Sequence, residues 1–214
     1  MISFITNYDD ATICNYNVYV RCGITPTISL LSNDATSNNL ISELTQTSMN
    51  VFAMSHGNDD KLCDQQGNHT FTTNNLAMLI NRAPFNVFAY ACNTSKALGK
   101  TAAAHNIRWF GFTSEINPPE TDELLQPVYN QIFNYIYNNF QNVSCNNSAA
   151  MFLEGLKVLC DNSRGILDST VLSDGNRPGI SAYVSVKQMW EKQKIWLSQN
   201  NHVIHPNAPP PILW

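Results

Sequence analysis

Two near-copies of one heptad constrain this chain more than any other feature. Asn50-Val51-Phe52-Ala53-Met54-Ser55-His56 is followed by Gly57, and 36 residues further on Asn86-Val87-Phe88-Ala89-Tyr90-Ala91-Cys92 is followed by Asn93. Each is a short apolar run with the length and the β-branched and aromatic make-up of a buried strand. Each closes on a side chain that does chemistry, an imidazole in the first and a thiol in the second. As neighbouring parallel strands the two lie about 4.8 Å apart. Both reactive groups then emerge at the carboxyl edge of one sheet, where open parallel sheets bind their ligands.

The stretch between the heptads must return the chain to the starting edge. Leu62 to Phe71 reads as a small hairpin turning at Gln66-Gly67-Asn68. Thr73 or Asn74 then caps a helix whose apolar face is Leu76, Leu79 and Ile80. That helix is the crossover a parallel pair requires. Upstream, Pro26 to Leu31 reads as the first buried strand, with Asp34 at its carboxyl end, and Asn38 to Gln46 has helical spacing. Downstream, Ser95 to Ala104 is a small-residue helix aimed at the thiol, and Arg108 to Ser114 is a further strand with Glu115 at its end.

After Pro118-Pro119, Thr121 opens a long helix whose stripe is Leu125, Val128, Ile132, Phe133, Ile136 and Phe140. A second helix runs from Ser148 to about Cys160, Thr170-Val171-Leu172 reads as a last strand, and Val184 to Gln199 as a final helix. The pattern predicts an α/β fold with a mostly parallel sheet. Residues 1–25, with Val18-Tyr19-Val20 as an edge strand, read as an N-terminal extension on that core. Residues 183–214 form a C-terminal helix plus a Pro-rich tail, extended by its prolines, whose apolar end docks on its own domain or on a partner.

Composition bounds what such a chain can be. With 214 residues, 43% hydrophobic and only 13% charged, it is long enough and apolar enough for one buried domain, read here as 1–214. A net charge of −4 without any basic run excludes a nucleic-acid partner. No apolar run reaches the ~18 residues of a membrane span, and the start lacks a basic leader, so the expectation is a cytoplasmic protein without membrane contact. The six cysteines lack a C-x-x-C pair and fit reduced thiols, with Cys63, Cys145 and Cys160 inert. His69, His105, His202 and His205 lack partners at metal-ligand spacing, so neither metal nor other cofactor is expected.

A free thiol is only a few per cent ionised at neutral pH, so a nucleophilic cysteine needs help. His56 on the adjoining strand can handle its proton, and a helix N-terminus after Cys92 favours the thiolate. The amides of Gly57 and Cys92 can stabilise the oxyanion of a tetrahedral intermediate, and a glycine after the histidine lets substrate approach.

Ser55-His56-Gly57 after one apolar strand and Ala91-Cys92-Asn93 after the next resemble the caspase-like (clan CD) cysteine peptidases, specifically the bacterial CHAT-type members. The resemblance spans roughly residues 26–116, through the turn Asp64-Gln65-Gln66-Gly67 and the strand Trp109 to Glu115. It implies a caspase-hemoglobinase fold, a three-layer α/β/α sandwich, and cleavage of a peptide bond after a selected residue. His56 is then the general base and acid, Cys92 the nucleophile, and Gly57 with Cys92 the oxyanion donors. The His–Cys spacing is shorter than the ~50 residues of caspases. Tyr90 and Thr94 stand where caspases have Gln and Gly, so Asp selectivity does not carry over. Acidic residues that select basic P1 side chains in relatives have positional counterparts in Asp34 and Glu115, the expected substrate-binding residues.

The resemblance implies a thiol protease of a bacterial defence, including antiviral defence, or regulated-proteolysis system, acting on a protein substrate and controlled by an activating partner or ligand. Two other readings stay open. One is a catalytically silent caspase-like interaction module. The other is a different thiol hydrolase or amidotransferase, against which the order His before Cys argues.

Overall fold

The structure, a computed structural model, describes residues 1–209. The expected docking of the tail's apolar end falls on 212–214, outside the described residues. Among the described residues, no helix is long and apolar enough to cross a membrane.

A seven-stranded sheet carries the fold. Its strands are β1 (Ile2–Ile5), β2 (Ile28–Leu31), β3 (Val51–Met54), β6 (Phe85–Tyr90), β7 (Ile107–Phe112), β8 (Gln193–Ser198) and β9 (Asn201–Ile204), and β4 (Lys61–Cys63) and β5 (His69–Thr72) form a separate hairpin. The order across the sheet is β2-β1-β3-β6-β7-β8-β9. Every pair from β2 to β7 is parallel, and β8 and β9 add on antiparallel. The sheet is therefore mixed but mostly parallel, as the heptads and crossover helix predict.

Helices cover both faces because strand residues point alternately to either side. Phe52, Met54, Phe88, Tyr90, Phe110 and Phe112 share one core with residues of α1 (Asp10–Arg21), α4 (Gln126–Asn139), α5 (Asn146–Ser169) and α6 (Ile180–Glu191). Val51, Ala53, Val87, Ala89 and Trp109 share the other with α2 (Ser37–Gln46), a 3-10 helix at Leu76–Arg82 and α3 (Ala97–Ala104). The predicted stripe of Leu125 to Phe140 is buried throughout in the first core. On the opposite face α3 lies close to the sheet: a Cβ on Gly99 would meet Trp196 Cδ1 at 2.7 Å and Trp109 Cδ1 at 2.9 Å.

The heptads pair in register. Val51 lies beside Val87, Phe52 beside Phe88, Ala53 beside Ala89 and Met54 beside Tyr90. Repetition thus sets like beside like, and the Phe52 and Phe88 rings stack with centroids 5.2 Å apart. At the amino end Asn86 N–H donates to Asn50 Oδ1 at 2.7 Å, so the two asparagines fasten the strands where they begin.

Several expectations are corrected. Residues 1–25 are not an extension: β1 sits between β2 and β3 inside the sheet, and Val18-Tyr19-Val20 belongs to α1. The helix forms because Asp9 caps it and Val18 and Tyr19 find burial against the core, which outweighs their weak helix propensity. Pro26 to Leu31 contains β2, one of the sheet's two edge strands, so it is only partly buried where a buried strand is expected. The helix from Ser148 begins at Asn146 and runs on to Ser169, and Thr170-Val171-Leu172 is not a strand. The helix expected from Val184 to Gln199 stops at Glu191. Trp196 and Leu197 lie in β8, whose backbone groups pair with β7 on one side and β9 on the other.

Candidate active site

His56 and Cys92 follow adjacent parallel strands and line one cleft at the carboxyl edge, together with Ala11, Asn15, Ser55, Tyr90, Ala91, Ile116 and Pro118. The imidazole is held from a direction the sequence does not announce. His56 Nε2 lies 2.6 Å from Asp9 Oδ2, on the loop between β1 and α1. Asp9 is the N-cap of α1, and its other oxygen accepts from Thr12 N at 3.0 Å and Thr12 Oγ1 at 2.8 Å. Partial burial alone raises the Asp9 pKa, but the hydrogen bonds from Thr12 and His56 outweigh it, and the carboxyl titrates below its usual range. Tyr8 packs its ring on His56 with centroids 5.6 Å apart. With Nε2 engaged, Nδ1 is the ring nitrogen left for the thiol and the substrate.

Asp9, which holds the His56 ring, is the residue beside the dyad that sequence reasoning missed. One signal pointed to it: Asp9 stands three residues before Thr12, an N-capping pattern.

The thiol is placed by backbone. Ile116 N–H lies 3.4 Å from Cys92 Sγ and Ile116 O 3.8 Å from it, so the sulfur is seated against the backbone of the loop after β7. The expected help from a helix N-terminus is not built this way, because residues 92–96 form turns and α3 begins only at Ala97. Asn93 takes a left-handed φ of 59°, tolerated by asparagine, and its N–H donates to Ser114 O at 3.1 Å, so the turn is fixed to the end of β7. Among the described residues no hydrogen bond joins the His56 ring to Cys92 Sγ. Such contacts are commonly looser before substrate binds.

Gly57 is glycine for a reason other than the one expected. A Cβ there would sit 2.5 Å from Thr94 Cγ2 and 3.0 Å from Ala91 Cβ, so the histidine loop is pressed onto the cysteine turn. On its other side it pairs with the hairpin, through Asn58 N–H to Lys61 O and Cys63 N–H to His56 O. The amides of Gly57 and Cys92 find no acceptor among the described residues; Cys92 lines the cleft, whereas Gly57 is not one of its walls.

Tyr90 ties the far wall down. Its hydroxyl donates to Asn117 O at 2.7 Å and accepts from Gln188 Nε2 of α6 at 3.1 Å, and Asn117 N–H donates to Gln188 Oε1 at 2.8 Å. The cleft loop 116–118 is thereby fastened to the helical layer.

Asp34 and Glu115 do not join this cleft. Asp34 is exposed in a 3-10 turn after the edge strand. Glu115 is also exposed, and only its carbonyl is engaged, accepting from Lys192 Nζ at 2.6 Å. Neither carboxylate lines the cavity. Among the remaining thiols, burial raises Cys63 and Cys160 and pushes Cys22 up to about 12. Cys145 is exposed at the N-cap of α5, where hydrogen bonds from the Ser148 hydroxyl and amide draw its pKa down. Among the described residues no three His, Cys, Asp or Glu side chains are grouped to hold a metal. In comparisons with protein-family models, curated proteins and solved structures, nothing matches the chain.

Proposed function

We propose that this chain is a cysteine endopeptidase of the caspase-like, CHAT type, cleaving a partner protein in a bacterial defence or regulated-proteolysis system. The observation that carries the reading is the shared cleft: His56 and Cys92, each following one of two parallel strands in register, face the same cavity. Cys92 Sγ attacks the scissile carbonyl carbon while His56 Nδ1 takes the thiol proton. The amides of Gly57 and Cys92 receive the oxyanion. The C–N bond then breaks, His56 passes its proton to the leaving amine, and a thioester remains. Water attacks the thioester, His56 accepts the water's proton, and the proton returns to sulfur as the acid leaves. Asp9 is a positioning residue that fixes the ring and its tautomer. Control by an activating partner or ligand, not self-cleavage, accords with the short segment between Glu115 and α4.

The test is alkylation and cleavage together. Because Cys145 is exposed to added electrophiles, the protein is used as Cys145→Ser. Iodoacetamide at neutral pH is expected to modify Cys92 first, with the rate reduced in His56→Ala. A peptide library is expected to be cut by this protein and left intact when Cys92→Ala is added. Equal, slow labelling of all remaining thiols would overturn the reading.

A further inference from the structure

The segment after β7 is held from two sides, and the bonds alternate residue by residue. On one side is the end of α6. Thr113 N–H donates to Lys192 O at 2.9 Å, and Lys192 Nζ donates to Glu115 O at 2.6 Å. Asn117 exchanges two bonds with the Gln188 amide, its N–H donating to Oε1 at 2.8 Å and its carbonyl accepting from Nε2 at 2.6 Å. On the other side is the cysteine turn. Asn93 N–H donates to Ser114 O at 3.1 Å, and the Ile116 N–H lies 3.4 Å from Cys92 Sγ. Backbone groups of 113, 115 and 117 thus engage the helix end, while those of 114 and 116 engage the turn that carries the thiol.

Gln188 is the buried anchor of this arrangement, 2% exposed on α6. Its Oε1 is taken by Asn117 N–H, and the two hydrogens of Nε2 go to Asn117 O and to the Tyr90 hydroxyl, which itself donates to Asn117 O at 2.7 Å. A buried polar network with every member satisfied specifies one arrangement. Here the arrangement fixes Asn117, and with it the neighbouring Ile116, whose backbone is the seat of the sulfur. An apolar side chain at 188 would strand the Asn117 N–H, and an ionised carboxylate would have no hydrogen to offer Asn117 O.

We propose that Gln188 is a positioning residue for the nucleophile: through Asn117 it holds Ile116 against Cys92 Sγ and so sets the place from which the sulfur attacks. The proposal rests on Cys92 as the nucleophile. A neutral carboxylic acid reproduces what the amide does, its carbonyl oxygen accepting from Asn117 N–H and its O–H donating to Asn117 O, whereas the ionised form sets acceptor against acceptor. Gln188→Glu therefore makes the seat depend on pH. Burial raises a carboxyl above the ordinary glutamate value of about 4.3, so the protonated, competent form persists into mildly acid solution and is lost as pH rises. The titratable groups coupled to this network are Tyr90, kept neutral by its burial, Tyr129 of α4 and Cys92, and Lys192 lies one turn along from Gln188. All are present in the parent, so each rate is divided by the parent's at the same pH.

The measurement is kcat/KM from about pH 5 to 8, with the Cys145→Ser protein as parent and the library peptide it cuts best as substrate. For Gln188→Glu the ratio to parent is expected to be near one at the acid end and to fall about 10- to 100-fold by the alkaline end, up to the scale of a displacement of about 1 Å. Gln188→Met, which makes neither bond to Asn117, is expected to be slowed by a similar factor at every pH. A ratio for Gln188→Glu that does not change with pH, or parental cleavage by Gln188→Met, would overturn the positioning role. If parental cleavage requires Cys92 and His56 while the Gln188→Glu ratio stays flat, the nucleophile stands and only this role falls. If parental cleavage survives Cys92→Ala, both fall together. Should Gln188→Met fail to fold by circular dichroism, the Gln188→Glu profile over the pH range in which that variant stays folded decides alone.

Discussion

Two regions send groups to one cleft by different routes. The twin heptads deliver His56 and Cys92 through strand pairing, where register alone sets both at the same height on the sheet edge. The β1–α1 unit delivers Asp9, Ala11 and Asn15 through a helix cap and one helix face. The first route places chemical groups by periodicity, and the second shapes and orients what the first has placed. On the proposed mechanism, the reaction depends on the heptads absolutely and on the amino-terminal unit by degree.

That ranking can be broken by substitution. Cys92→Ala and His56→Ala are expected to lower kcat by up to the order of 10⁶, the scale for losing a nucleophile or its base, without loss of the fold by circular dichroism. Gly57→Ala comes next. It is expected to destabilise the protein by about 1–3 kcal/mol through overpacking and to lower kcat by about 10²–10³ as the oxyanion amide shifts. Urea unfolding checks the first effect, and Thr94→Ser, which removes the methyl at 2.5 Å, should restore part of the stability.

Asp9→Asn keeps a good N-cap but loses the carboxylate, so kcat should fall about 10²-fold with KM little changed. That is less than the ~10⁴ lost with a buried triad aspartate, because the Asp9 side chain is 43% exposed. Nitrogen NMR of His56 should show its tautomers mixing. A kcat loss equal to that of His56→Ala would collapse the distinction between the regions.

The smallest effect is on pH dependence. Asp9 titrates below its usual range when folded. The stability it contributes is complete above the ordinary carboxylate pKa of about 3.9 and is lost as pH falls through the lower folded value. Urea midpoints between pH 2 and 6 should fall less steeply in Asp9→Asn.

The sequence made the heptads legible because fully buried parallel strands are written as continuous apolar runs, and here the run is written twice. The hairpin at Gln66-Gly67-Asn68 was equally open, since Gly67 takes the positive φ of 77° that such a turn asks of it. The amino-terminal unit was not. Ile2 to Ile5 is only four residues long, and α1 contains Asn, Val, Ile and Tyr, whose helical state depends on contacts with distant residues such as Gln126, which donates to Val18 O from 108 positions away. At the other end, apolar spacing continues smoothly from α6 into β8, and only the antiparallel partner β7 decides where helix becomes strand. The cleft was legible in its reactive pair and hidden in its walls, because Asn15 and Ile116 come to line it only once α1 and the loop after β7 have folded onto the sheet edge.

The contact of Gly57 with Ala91 and Thr94 also bears on how the site comes apart. The histidine loop cannot lift without freeing the cysteine turn, so the two should open as one cooperative unit. Amide hydrogen exchange at 55–58 and 91–95 would then share a single opening free energy. Catalytic competence would be lost in one step, not residue by residue, when the protein is warmed or a denaturant is added.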